Sequence, residues 1–366
     1  MSPNLHDIVK SYDVRGLVAS QLTPDVAYAL GYATCEELGL PSKGFIVGHD
    51  MRPSSPELAR ALEAGAAAAG ATVRQVGLAS TDMVYFASGL FGEAAAMITA
   101  SHNPPEYNGI KFSRAGAKGV SLNTGLAGIR DRAQELLDAG VDWVQPAESP
   151  EVTNVVTRYA EFLRGLVDIS SIRPLRIVVD AANGMGGYTV PAVLGTDAGL
   201  DALPVEIDPM YFELDGTFPN HEANPLEPKN LVDLQARVRD TGADMGLAFD
   251  GDADRCFVVD EHGEPVSPSV IGSIVARREI HRARGLGEAK PVVLHNLICS
   301  KVVPETISAE GGVPHRTAVG HSLIKDDMAT TNAVFGAEHS AHYYFRDFFG
   351  ADSGLLAALH VIAELG

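Results

Sequence analysis

Short runs of β-branched and apolar residues alternate along this chain with stretches in which apolar positions recur every three or four residues. GFIVGH at Gly44–His49 is the first clear strand run. An Ala-rich helical pattern follows over 56–70, opened by Pro56 and Glu57, which suit a first turn, and closed by Gly70. Strands are predicted over 72–77 and 94–99, giving the alternation of an α/β domain. Two prolines, an acid and a serine at 145–150 (QPAESP) predict a linker. A second unit opens with the apolar strand LRIVVD at Leu175–Asp180, runs through AANGMGG and a helix near 230–241, and ends over 243–261 as strand, polar loop, strand. A third unit begins near Gly263, with helices over 267–284 and 302–310, a strand over 292–297, further strands near Thr317 and Val334, and a closing apolar pattern over 355–365. Three consecutive α/β domains are therefore expected, at 1–146, 147–262 and 263–366. Their sequences show no visible repeat.

Length agrees, because 366 residues exceed the ~250–300 at which single cores stop growing. No run of about 18 uncharged apolar residues is present and the first residues have neither a basic start nor an apolar core, so no membrane span or secretion signal is expected. A net charge of -19 opposes attraction to a nucleic acid backbone. Cys35, Cys256 and Cys299 are odd in number and far apart, which suits buried thiols in a reducing cytoplasm.

The loop DGDADR at 250–255 sets Asp250, Asp252 and Asp254 at alternate positions directly after an apolar strand. Carboxylates converging on a small volume call for a cation, and an all-oxygen donor set suits Mg²⁺ or Ca²⁺ rather than zinc. An EF-hand reading has acids at loop positions 1, 3 and 5 and Glu261 at position 12. It fails because Arg255 occupies the position that requires Gly, and CFVVD continues as a strand.

TASHNP at 99–104 breaks an apolar strand into a polar turn, so Ser101 and His102 are expected exposed at a strand's carboxyl end, where open α/β sheets carry their chemistry. No GxSxG elbow accompanies them, which removes the serine-hydrolase reading. Lys111, in NGIK, can bind phosphate or exchange a proton. In GAEHSAH, Glu338, Ser340 and His342 alternate, and in an extended segment such residues share one side, where carboxylate, hydroxyl and imidazole can grip sugar hydroxyls; a polar hairpin end is the equal alternative. The cations of YDVRG (12–16), GHSLIK (320–325) and YYFRD (343–347) are candidates for anion contacts or ion pairs. No GxxxxGK[ST] loop and no well-placed GxGxxG occurs, so ATP has no visible cradle.

The ordered set YDVRG, TASHNPPEYNGIK, DGDADR, GHSLIK and GAEHSAH resembles the α-D-phosphohexomutase superfamily, in its bacterial phosphomannomutase/phosphoglucomutase branch, from Tyr12 to about Gly354. The resemblance implies three mixed-sheet α/β domains around a shared cleft and a phosphoserine at Ser101. It implies one Mg²⁺ held by Asp250, Asp252, Asp254 and an oxygen of Ser101. Lys111 corresponds to a general acid/base helped by His102, and Arg15 to a cation lining the cleft. Arg255, His321, Glu338, Ser340 and His342 correspond to substrate contacts. The implied reaction interconverts mannose 6-phosphate and mannose 1-phosphate, and glucose phosphates likewise, through a hexose 1,6-bisphosphate. A glucosamine phosphate mutase and a non-catalytic sugar-phosphate-binding remnant are the alternatives. The implied setting is cytoplasmic, as a monomer or weak homodimer, with hexose phosphates rather than nucleic acid or membrane as partners. Such relatives carry a fourth, C-terminal domain that holds the substrate's non-reacting phosphate. This chain ends at Gly366 without a counterpart, so weaker substrate grip and slower turnover are expected.

Overall fold

The computed structural model describes residues 3–141, 143 and 151–366, excepting the side chains of His321 and Ser322. The expected linker at 145–150 lies outside the described residues. The chain divides into two compact units, residues 1–155 with 215–217, and residues 156–214 with 218–366.

The first unit contains β1 (Val14–Leu17), α1 (Pro24–Glu37), β2 (Gly44–His49), α2 (Ser55–Ala68), β3 (Thr72–Leu78), α3 (Thr81–Phe91), β4 (Ala94–Ile98), β5 (Tyr107–Arg114), β6 (Lys118–Gly119) and α4 (Leu126–Ala139). Its sheet has the order β1-β5-β4-β2-β3, with β6 beside β5. β2 runs parallel to β3 and β4, whereas β5 is antiparallel to β4 and β1. Helix starts follow local capping chemistry. Thr23 Oγ1 accepts from Val26 N ahead of Pro24, and Ser80 Oγ from Met83 N ahead of α3. Phe45 and Val47 of β2, Leu58 and Leu62 of α2, and Ile98 and Ile110 form part of one apolar core.

The second unit contains α5 (Val156–Leu166), β7 (Leu175–Asp180), α6 (Gly186–Val193), β8 (Val205–Met210), α7 (Val232–Thr241), β9 (Met245–Phe249), β10 (Cys256–Val259) and β11 (Pro265–Val266). It continues with α8 (Pro268–Gly285), β12 (Val292–Asn296), α9 (Val302–Ala309), β13 (Val313–Thr317), α10 (His321–Thr331), β14 (Phe335–Ala337), β15 (Tyr343–Phe345), β16 (Ala351–Asp352) and α11 (Gly354–Leu365). Two five-stranded sheets result, ordered β11-β10-β9-β7-β8 and β13-β12-β14-β15-β16. In each, three parallel strands are followed by antiparallel ones.

All three sheets thus share one plan, with the first parallel strand between the second and the third and an antiparallel strand added beyond the third. The fold is three α/β domains with mixed sheets. The architecture repeats although the sequences do not, because inward positions require only apolar character at the right period. Among the described residues, no helix is long and apolar enough to cross a membrane. Cys35 and Cys256 are buried thiols, while Cys299 is half-buried rather than fully covered, since it sits on a loop just beyond β12.

Candidate active site

The shared plan puts the candidate chemistry at equivalent places. Ser101 lies between β4 and β5, the acidic triplet between β9 and β10, and residues 338–342 between β14 and β15. Each loop leaves the carboxyl end of the third parallel strand and enters the first antiparallel one, where a sheet offers backbone ends and room for a ligand.

In the first unit, Ser101 takes a left-handed backbone conformation, φ 50°, and its N–H donates to Thr99 Oγ1 at 2.9 Å. The residue is 3% exposed, which corrects the expectation of an open serine: its carbonyl is tied to the wholly buried guanidinium of Arg52. Ser101 Oγ lies 3.3 Å from His102 Nδ1. Arg15 on β1 pairs in register with Gly109 of β5, and its guanidinium donates to Asp13 Oδ2 at 2.7 Å and to Asn103 Oδ1. Arg15 therefore reaches the Ser101 loop. Lys111, half-buried on β5, stands opposite Met97 of β4, four residues before Ser101.

In the second unit, Asp250, Asp252 and Asp254 are 0%, 0% and 1% exposed, and one oxygen from each falls within 4.8 Å of the others. Arg255 Nε and Nη2 donate to Asp250 Oδ2 at 2.8 and 2.7 Å, and Nε lies 3.9 Å from Asp254 Oδ1. Burial opposes the charge on Arg255, but Asp250 and Asp254 outweigh it and its pKa rises. The Arg255 guanidinium thus faces the buried carboxylates of the triplet. Burying like charges together is costly unless positive charge compensates them, and hard oxygen donors at this spacing fit a divalent cation such as Mg²⁺. Burial, with Asp250 beside it, also pushes the Cys256 thiol upward and keeps it neutral.

Two backbone approaches support this loop. Met185 N donates to Gly251 O at 2.9 Å, and a Cβ on Gly184 would come within 2.7 Å of that oxygen. Gly184 of AANGMGG therefore lets the segment after β7 pack on the acidic loop. On another side, a Cβ on Gly354 would meet Ala253 O at 2.9 Å, so the start of α11 also rests against it.

Residues 338–342 form a turn, not the extended segment that alternation suggested, because β14 and β15 are antiparallel partners and the chain must reverse. Glu338 N donates to His342 O at 3.0 Å, and Ala341 adopts φ 65°. The Glu338 carboxylate is 3% exposed and accepts from Asn296 Nδ2 at 3.1 Å, Tyr344 Oη at 2.8 Å and Gly320 N at 3.3 Å. Ser340 is half-buried. His342 Nδ1 lies 3.0 Å from Asp352 Oδ2 and 3.9 Å from Asp254 Oδ1, so the turn and the acidic loop meet. Burial works against a charge on His342, but Asp254 and Asp352 prevail and raise its pKa. Asp352 Oδ1 in turn lies 3.1 Å from Lys325 Nζ, both being buried. His321 is the first residue of α10, and its side chain lies outside the described set. Arg346 of YYFRD pairs with Glu288 at 3.0 Å, the ion-pair reading for that segment.

Sequence reasoning missed Arg52, Asn296, Asp352 and Tyr344. The contacts that tie them to the site reach across 6 to 55 residues of chain, from Tyr344 to Glu338 up to Arg52 to Tyr107. Lys325 stood inside GHSLIK but without a partner to mark it.

Comparison with known proteins gives matches to three family descriptions: phosphoglucomutase/phosphomannomutase alpha/beta/alpha domain I over residues 6–136, domain II over 157–263 and domain III over 267–366. The chain is 36% identical over 357 residues to the phosphomannomutase of Escherichia coli K12, covering 97% of this chain and 76% of that protein. To the phosphomannomutase/phosphoglucomutase of Pseudomonas aeruginosa it is 35% identical over 361 residues, covering 98% and 74%. A solved phosphoglucomutase/phosphomannomutase family protein from Burkholderia thailandensis superposes with a TM-score of 0.86 at 32% identity, covering 99% of this chain and 77% of that one.

Proposed function

Because this chain belongs to the phosphoglucomutase/phosphomannomutase family, we propose that its phosphohexose mutase activity runs through a phosphoserine at Ser101, moving a phosphoryl group between C6 and C1 of mannose phosphate and of glucose phosphate. The convergence of Asp250, Asp252 and Asp254 within 4.8 Å in one buried loop is the observation that carries this reading.

In the proposed reaction, a hydroxyl oxygen of the hexose monophosphate attacks the phosphorus on Ser101. The new P–O bond forms as the serine P–O bond breaks, leaving a hexose 1,6-bisphosphate. Lys111, assisted by His102, takes the hydroxyl proton and returns one to the serine oxygen. The bisphosphate turns over and gives its other phosphoryl group back to Ser101. Asp250, Asp252, Asp254 and a phosphoserine oxygen would hold Mg²⁺, which when bound neutralises charge on the transferring group. Arg15 orients the phosphoryl group, and Arg255, His321, Glu338, Ser340 and His342 hold the sugar and its phosphate. With little covalent work for the protein to do, positioning and electrostatics supply most of the rate.

We keep domain limits of 1–146, 147–262 and 263–366, supported by where the three family matches fall. A reducing cytoplasm, with the chain as a monomer or weak homodimer, is the setting we assign, supported by three free thiols. The test is intact mass of the parent and of Ser101→Ala, with turnover measured on mannose, glucose and glucosamine phosphates side by side. The expected result is a phosphate adduct and mannose and glucose phosphate turnover, all lost in the variant. Turnover surviving in Ser101→Ala would remove the serine from the mechanism.

A further inference from the structure

We propose that Arg52 is a positioning residue for phosphoryl transfer, a buried guanidinium that fixes the backbone around Ser101. The inference rests on the reading of Ser101 as the phosphoryl carrier. Arg52 lies between β2 and α2, and its side chain is 0% exposed. Nη2 donates to Ser101 O at 2.9 Å and to Asn103 O at 2.6 Å. Nη1 donates to Pro104 O at 2.8 Å and to Tyr107 O at 2.9 Å. Four carbonyls from seven consecutive residues thus converge on one planar fork. Guanidinium suits this task because its donors are fixed in direction and it cannot lose its charge.

The fork is itself held. Nε lies 3.3 Å from Asp50 Oδ2, while Asp50 Oδ1 accepts from Arg52 N at 3.0 Å and from Ser55 Oγ at 2.5 Å. Asn108, at the start of β5, donates to Ser54 and Ser55 hydroxyls at 2.8 and 2.9 Å, so both ends of the loop are anchored to the same turn. Asp50 balances the charge of Arg52 and loop carbonyls engage both of its terminal nitrogens. The residue therefore acts on substrate through the loop.

The need for such a clamp follows from Ser101 itself. A residue with a Cβ at φ 50° persists only where its surroundings hold it. In-line transfer tolerates little error, and a displacement of about 1 Å costs on the order of 100-fold in rate. Arg52 supplies the restraint in a loop that otherwise carries a serine, a histidine, an asparagine and two prolines with no regular hydrogen-bond ladder.

The experiment compares the parent chain with Arg52→Lys and Arg52→Gln. It reads kcat and KM on mannose phosphate, intact mass for the phosphate adduct, and amide hydrogen exchange peptide by peptide. The expected result for Arg52→Gln is a kcat about 100-fold lower with KM nearly unchanged. Exchange should accelerate over residues 99–107 and not elsewhere in the first unit. Arg52→Lys, which keeps the charge but not the fork, should recover part of the rate. A folded Arg52→Gln chain with parental kcat would overturn the proposal. So would exchange accelerating uniformly across the first unit in both variants, since that is what a purely structural role produces. Failure of the underlying reading is separable, because Ser101→Ala would then retain turnover while the loop exchange still reported on Arg52.

Discussion

Glu63 offers a quantitative test of how the first unit is held together. It sits on α2, is 4% exposed, and neither carboxylate oxygen has a hydrogen-bond partner of good geometry among the described residues. Burial pushes its pKa from 4.5 up to about 7, a rise that the Gln75 side chain and the Arg60 guanidinium only partly offset. The folded chain therefore holds the Glu63 proton more tightly than the unfolded chain does. The contribution of Glu63 to stability is therefore greatest below pH 4.5, falls as the pH climbs from 4.5 to about 7, and stays flat above. At ~1.4 kcal/mol per pH unit the loss is about 3 kcal/mol. Glu63→Gln removes the titrating group at nearly constant volume, so the variant should be more stable than the parent by up to about 3 kcal/mol at pH 8 and by little at pH 4. The sole tryptophan, Trp143, packs against this unit's core, so its fluorescence during urea unfolding follows the right region. A stability difference independent of pH would refute the assignment.

Other expectations concern the site. Gly184→Ala brings a Cβ to 2.7 Å from Gly251 O, so it should displace the acidic loop and weaken Mg²⁺ binding in calorimetric titration while leaving Ser101 phosphorylatable. Tyr344→Phe removes a 2.8 Å donor from the buried Glu338 carboxylate. Leaving such a group short of a partner costs ~1–3 kcal/mol, and the change should appear mainly as a higher KM for the sugar phosphate. Asp252→Asn lowers the charge of the triplet and should reduce metal affinity and kcat together, read by titration and steady-state kinetics.

Much of the architecture was legible from periodicity, since strands such as Leu175–Asp180 are buried on both faces and read as unbroken apolar runs. The helix expected over 56–70 runs over Ser55–Ala68, a shift of one or two residues at ends where propensity is weakest. DGDADR stood out because its chemistry is local: a loop of six residues supplies three carboxylates and their guanidinium. At 338–342 an extended segment and a hairpin end were equally open, because strand reversal there depends on β15 pairing with β14, which alternation along one segment does not encode. Arg52 was illegible for a different reason. Its partners in the Ser101 loop are backbone carbonyls, which carry no side-chain signature.

The account depends on phosphate and acidic triplet sharing one divalent ion. Electron–nuclear double resonance at phosphorus-31 on the phosphorylated chain loaded with Mn²⁺ measures this directly. A strong phosphorus coupling to the bound manganese is expected in the parent, absent from both Ser101→Ala and Asp252→Asn. Manganese bound at the triplet with no phosphorus coupling, in a chain shown by mass to carry its phosphate, would contradict it.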